Sequence, residues 1–260
     1  MRTLIVSFLV CVLCLGLLNP VIAKAPETKD LASVIAAVEK TVAEKKIPVV
    51  VFDLDGTLFD TAQRNVRILQ EWAKENSSNP DAKAISQVTA KDAGYSIVDT
   101  LKNISVTTAE TVSSVRNFWF KRFFTNEYVV IDEPIPGGPA FVNACHDKGA
   151  LIVYLTGRDT PQMGKGTEES LQKHGLPLDG KTAILMLKSS PEIKDFKFKQ
   201  DSCNRIRELG SVVAVFENQP RNLNALLREF PEAIPVFIDS NYDLKDTESP
   251  PASAIRLKHY

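Results

Sequence analysis

Asp53 and Asp55 stand two residues apart, directly after the apolar run 48–52 and just before Gly56 and Thr57. Ionised carboxylates are not tolerated unpaired in a dry strand, so this pair should emerge where the strand ends. In an open parallel sheet, that carboxyl edge is where ligands bind. Two carboxylates there can hold a divalent cation or move protons. The competing reading is an Asp-Gly turn with solvated acids. A second apolar run, 151–155, ends in Thr156, Gly157 and Arg158, offering a hydroxyl and an amide that no Cβ obstructs. A third run, 212–216, ends in Glu217 and Asn218, with Asn222 a turn further on.

The elements that must position these groups are readable from periodicity. Short continuous apolar runs recur at 48–52, 151–155, 183–187, 212–216 and 235–238, the pattern of strands buried on both faces. Helical spacing fills 30–46, 162–174, 200–209 and 220–230, with Thr160 and Pro161 as an N-terminal signal and Gly175 as a stop. Strand–helix alternation of this kind implies an α/β fold on a parallel sheet. The stretch 59–133 interrupts the alternation with helical patterns at 61–75 and 110–125, so it reads as a helical insertion, with 132–138 as the return linker. Within it, Phe118, Trp119, Phe120, Phe123 and Phe124 read as the insertion's own core, the alternative being a wall over a ligand. Its basic residues, among them Arg64, Arg67, Arg116, Lys121 and Arg122, read as a solvated helix face.

Composition narrows the partners. With 31 Lys+Arg against 32 Asp+Glu, the 260-residue chain has no electrostatic footprint for nucleic acid and no polybasic membrane anchor. Residues 1–23 have the layout of a secretory signal peptide: Arg2, the uncharged apolar run 4–18, a break at Pro20, and a small residue, Ala23, at the cleavage position. Export, periplasmic or secreted, is the expectation, with no membrane attachment after cleavage. The alternative is an uncleaved N-terminal membrane anchor. Residues 24–46 then form a linker and helix, 47–58 and 134–260 the α/β core, and 59–133 the cap. His146, His174 and His259 share no metal-ligand spacing and read as non-catalytic. Asn76 and Asn103 begin glycosylation sequons.

The run FDLDGT at 52–57 resembles the first motif of the haloacid dehalogenase-like hydrolase superfamily, in its phosphatase type with a helical C1 cap. The resemblance implies a doubly wound, Rossmann-like parallel sheet with the cap inserted after the first strand. It implies Asp53 as the nucleophile that forms an aspartyl-phosphate and Asp55 as general acid and base. Thr156 and Gly157 are similar to the second motif and would bind the phosphoryl group. A lysine of the third motif would be Lys199, which opens the helix before the fourth strand, in preference to Lys197 or Lys188. Glu217 stands where the fourth motif has an aspartate, so Mg2+ would be held by Asp53, Asp55 and Glu217, with Asn218 or Asn222 as amides able to hold a metal-bound water. The family's sheet order also implies that Cys145 and Cys203 lie on opposite faces of the sheet, as free buried thiols.

These readings converge on an exported Mg2+-dependent phosphatase acting on a small phosphorylated substrate. The alternative is a non-catalytic phosphate- or ligand-binding protein on a degenerate core, and behind it a phosphomutase. Neither the oligomeric state nor the leaving group is encoded in a recognisable motif.

Overall fold

The computed structural model describes residues 31–243 and 247–260. The proposed signal peptide and the linker after it lie outside the described residues. Among these residues no helix is long and apolar enough to cross a membrane.

The chain begins with α1 (Ala32–Ala43) and β1 (Pro48–Phe52), followed by the short β2 (Phe59–Asp60). The insertion holds α2 (Ala62–Glu75), α3 (Ala82–Ser86), a 3-10 turn at Ala90–Asp92, α4 (Ile97–Asn103), α5 (Ala109–Phe123) and α6 (Asn126–Val129). It returns through β3 (Glu133–Pro134) to α7 (Gly138–Asp147), β4 (Leu151–Asp159) and α8 (Thr160–Lys173). The remainder is β5 (Ala183–Lys188), α9 (Asp195–Leu209), β6 (Ser211–Glu217), α10 (Pro220–Glu229), β7 (Ile234–Ile238) and β8 (Ile255–Leu257).

Six strands form one parallel sheet in the order β5-β4-β1-β6-β7-β8. This is the expected doubly wound α/β sheet, with β1 central and the chain crossing over to both sides of it. Alternation along β1 explains why the sheet is buried twice: Val50 and Phe52 point into one apolar cluster, Val49 and Val51 into another. The first cluster takes Val34 and Val38 from α1 and Phe141 and Cys145 from α7. The second takes Cys203 and Ile206 from α9 and Leu223 and Leu226 from α10. The lead-in helix is therefore part of the core. Cys145 and Cys203 are free, buried and on opposite faces, as the sheet order implied.

The edge strand β8 is three residues long, too short for a periodic signal, and was not expected. After it, Tyr260 stacks on Phe216 at 5.6 Å between ring centroids, and its hydroxyl donates to the Thr57 carbonyl at 3.1 Å. The C-terminal segment is thereby tied beneath the turn that carries the aspartates.

Helix α8 starts at Thr160, one residue before the expected first helical position Pro161, with Asp159 rather than Thr160 as its cap: the Asp159 carboxylate accepts from the Gln162 amide at 2.8 Å. Gly175 adopts φ +67 beyond the helix end, the left-handed stop its residue type suggested. The insertion has a core of its own, built on Leu69, Trp72, Ile85, Leu101 and Val115. Its two ends lie side by side, because β2 and β3 pair antiparallel through Phe59–Pro134 and Asp60–Glu133.

Candidate active site

The chain leaves β1 in a tight turn. Backbone amides of Thr57, Leu58 and Phe59 all donate to the Leu54 carbonyl, at 3.0, 2.9 and 2.9 Å. Gly56 sits in this turn at φ +79, and a Cβ there would lie 2.2 Å from Asn218 Nδ2, so both conformation and space demand glycine. The turn projects Asp53 and Asp55 from the carboxyl edge of the sheet into a cavity of about 920 Å³ between core and cap. Thr156, Gly157, Lys199, Glu217, Asn218 and Asn222 border the same cavity. Residues from four chain segments that sequence reasoning singled out thus line one space.

Lys199 is the lysine at its centre. Its ammonium donates to Asp53 Oδ1 at 2.7 Å and to Glu217 Oε2 at 2.5 Å, and all three side chains are almost wholly buried. The other candidates are elsewhere engaged: Lys188 with Asp195 at 2.8 Å, and exposed Lys197 with Asp201 one helical turn on. Thr57, which sequence reasoning passed over, donates its hydroxyl to Asp53 Oδ2 at 2.9 Å. Burial, and then repulsion from Glu217, push the Asp53 carboxyl up to about 7 against the pull of Lys199. Burial works against the Lys199 charge, yet the two carboxylates raise its pKa above the ordinary lysine value.

Two buried carboxylates on one ammonium leave a surplus negative charge, and hard oxygen donors in such a field fit a small divalent cation. Of the expected metal ligands, Asp53 and Glu217 have this disposition. The carboxylate of Asp55 does not, because it faces two guanidinium groups. Arg158 Nη2 donates to Asp55 Oδ1 at 2.5 Å and Arg64 Nη2 to the same oxygen at 3.1 Å. Among the described residues no group of three or more His, Cys, Asp or Glu side chains could hold a metal ion. Asn218 borders the cavity, and its amide nitrogen donates to Ser240 Oγ at 3.2 Å and to the Asn241 carbonyl at 2.9 Å. Asn222 borders the cavity from the first turn of α10.

Arg64 corrects the expectation of a solvated helix face. It is completely buried and bonds Asp132 through Nε at 2.9 Å and also through Nη2. Asp132, read from sequence as part of a linker, is completely buried too and accepts from Arg158 Nη2 at 2.8 Å. Arg64, Asp132, Arg158 and Asp55 thus form a continuous quartet joining cap to core. Although burial alone would raise the Asp55 carboxyl, Arg158 and Arg64 outweigh it and hold the group well below the usual carboxylate range. Thr156, 1% exposed, accepts from the Arg158 amide at 3.3 Å. The space at Gly157 is filled by the Asp195 carboxyl, which a Cβ would meet at 2.4 Å.

The aromatic cluster also divides differently from expectation. Phe118 and Trp119 flank the cap's core, but Trp119, Phe123 and Phe124 border the cavity, and Phe120 is exposed. His259 and Lys258 of the C-terminal segment border it from the core side.

No protein-family model and no curated protein sequence matches this chain. Solved structures do match. A haloacid dehalogenase-like family hydrolase from Streptococcus pneumoniae superposes with TM-score 0.50 at 15% identity, over 81% of this chain and 93% of that one. A protein from Clostridium difficile, described as a phosphatase, superposes with TM-score 0.54 at 13% identity, over 81% of this chain and 94% of that one. At such identities the likeness concerns backbone architecture, and on that architecture the chain carries the fold of the haloacid dehalogenase-like hydrolases.

Proposed function

We propose that the protein is an exported phosphatase that hydrolyses a phosphomonoester through an aspartyl-phosphate at Asp53. The observation that carries this reading is the placement of one buried carboxylate, Asp53, at the end of the central strand, held by Lys199 and Thr57 and bordering a large cavity. A carboxylate fixed on both oxygens has few orientations to lose on attack. Asp53 attacks phosphorus in its ionised form, and the alcohol of the substrate departs on the opposite side. Lys199 balances negative charge beside the nucleophile, and the Thr156 hydroxyl with the Gly157 amide would bind phosphoryl oxygens.

Asp55 already carries the charge needed to deprotonate the water that cleaves the aspartyl-phosphate. Its earlier task, protonating the departing oxygen, requires it first to loosen from a guanidinium and take up a proton from solvent. It passes that proton to the departing alcohol and is again the carboxylate that later takes one from water. Asp53 and Glu217 would hold Mg2+, which when bound neutralises charge on the transferring group. The protein's own residues still do the positioning.

The test is Asp53→Asn in the mature chain. Phosphomonoester hydrolysis should fall to background while the melting profile remains cooperative. Retained turnover would eliminate the mechanism. A wild-type chain that hydrolyses no phosphomonoester, with or without Mg2+, would favour a binding protein instead.

A further inference from the structure

Resting on the phosphatase reading, we infer that the leaving group this site accepts carries an aromatic ring and no second anionic group. The wall of the cavity contributed by α5 and the residue after it is aromatic: Trp119, Phe123 and Phe124. Trp119 is held in orientation from two directions. Its indole N–H donates to Asn65 Oδ1 at 2.7 Å, and its ring stacks on Phe123 with centroids 4.5 Å apart. Phe124 meets it edge-on at 5.4 Å. The other face of the cluster is closed by a buried cation, since the Arg64 guanidinium lies 4.3 Å from the Phe123 ring centre. A rigid aromatic surface anchored by a buried polar contact loses little freedom when a planar group packs on it.

The charge around the cavity mouth supplies the second half of the inference. Exposed acids border it at Asp60, Glu133, Asp195 and Asp239. Asp195 bonds Lys188 at 2.8 Å and Glu133 lies 3.7 Å from Lys173, so Asp60 and Asp239 are the two that no ion pair among the described residues offsets. Among the described residues the exposed cation there is Lys258, with His259 beside it. Arg158 and Lys199 also reach the cavity but are already committed to buried carboxylates. Such a rim repels a second phosphate or carboxylate and tolerates a neutral ring. Small sugar phosphates would leave the aromatic wall uncovered, while a bisphosphate would face the acids. Nucleoside monophosphates and arylalkyl monophosphates share the required chemistry.

Two matched pairs test this, each comparing leaving alcohols of similar reactivity: benzyl phosphate with n-butyl phosphate, and adenosine 5′-monophosphate with ribose 5-phosphate. The expected result is a preference of about tenfold or more in kcat/KM for the aromatic member, expressed chiefly in KM. Preference in both pairs identifies a nucleoside-type leaving group, and preference in the benzyl pair alone identifies a simple arylalkyl one. Adenosine 3′,5′-bisphosphate should be the poorer substrate beside the monophosphate by a similar factor. Trp119→Ala should collapse the benzyl-to-butyl ratio towards one, and Trp119→Phe should restore most of it. Phe124→Ala gives the same reading if the tryptophan variant does not fold. Equal kcat/KM within the wild-type pairs, or a ratio that Trp119→Ala and Phe124→Ala leave unmoved, overturns the inference while the phosphatase reading stands. Hydrolysis of none of the compounds overturns both.

Discussion

Replacing Asp132 by alanine should destabilise the protein as severely as a large cavity in its core would. The carboxylate is fully buried and accepts hydrogen bonds from Arg64 and Arg158, which are themselves 0% and 1% exposed. Removing it leaves two guanidinium groups sharing the single carboxylate of Asp55, so a buried positive charge loses its counterpart. Breaking a buried pair by deleting one partner costs about 3–5 kcal/mol. For a domain of this size, each kcal/mol lowers the midpoint by roughly 2–4 °C, so a fall of about 6–20 °C is expected. Thermal melts followed by circular dichroism measure it. Two features separate this cause from a simple packing defect. The loss should be nearly the same in low and in high salt, because buried pairs are poorly screened. The paired change Arg64→Met with Asp132→Leu should also recover a large part of it, by removing charge from the cap side altogether. A fall below about 1 kcal/mol, the range of an exposed ion pair, would refute the reasoning.

Four other outcomes follow, three from the site's geometry and one from the packing of the core. Because the Asp53 carboxyl is raised to about 7, kcat/KM without added metal should climb through that pH as the nucleophile ionises, and Mg2+ should move this limb to lower pH; a limb indifferent to Mg2+ counts against the Asp53–Glu217 cation site. The same shift means the native state holds that proton more tightly than the unfolded chain, so Asp53→Asn should gain melting temperature relative to wild type as pH rises from 3.8 to about 7, and a constant difference would contradict the raised value. Gly56→Ala should cost about 1–3 kcal/mol, since alanine at φ +79 is strained and its Cβ would collide with Asn218; an unchanged melting point would show that the turn can reshape. Burial pushes the thiols of Cys145 and Cys203 up to about 12 and about 11, so site-resolved labelling at pH 8 should wait for unfolding, and prompt modification of either would contradict the packing.

The core was legible because its signals are local. Five apolar runs mark five of the six strands of the main sheet, and Asp53, Asp55, Thr156, Gly157 and Glu217 stand within a few residues of a run's end, where a parallel sheet must present them. Lys199 is preferred over its neighbours on the reading that it opens its helix, but α9 begins at Asp195 and Lys199 stands in its second turn. That ground does not hold, and it is the contacts with Asp53 and Glu217 that single it out. The quartet was not legible, for a physical reason. Arg64, Asn65 and Val66 are buried in succession for three different reasons: Val66 joins the cap's apolar cluster, Asn65 holds the Trp119 indole beside the cavity, and Arg64 reaches Asp132 and Asp55. Helical periodicity encodes only a single apolar face. Arg64 finds its partner 68 residues further on, at Asp132, in a segment whose Pro and Gly content marks a turn and says nothing of burial. The aromatic cluster was ambiguous for a related cause: Trp119 flanks the cap's core and borders the cavity at once, and spacing cannot separate the two.

The quartet also has an electrical symmetry. Arg64 and Asp132 belong to the stretches that run into and out of the cap, while Asp55 and Arg158 belong to the strand ends of the core. Each side therefore sums to zero by itself. With β2 and β3 holding both ends of the cap together, the bonds that cross from cap to core, Arg64 to Asp55 and Arg158 to Asp132, join two stretches that are each neutral in formal charge. The attachment is therefore carried by directional, short-ranged hydrogen bonds and not by a net attraction between opposite charges.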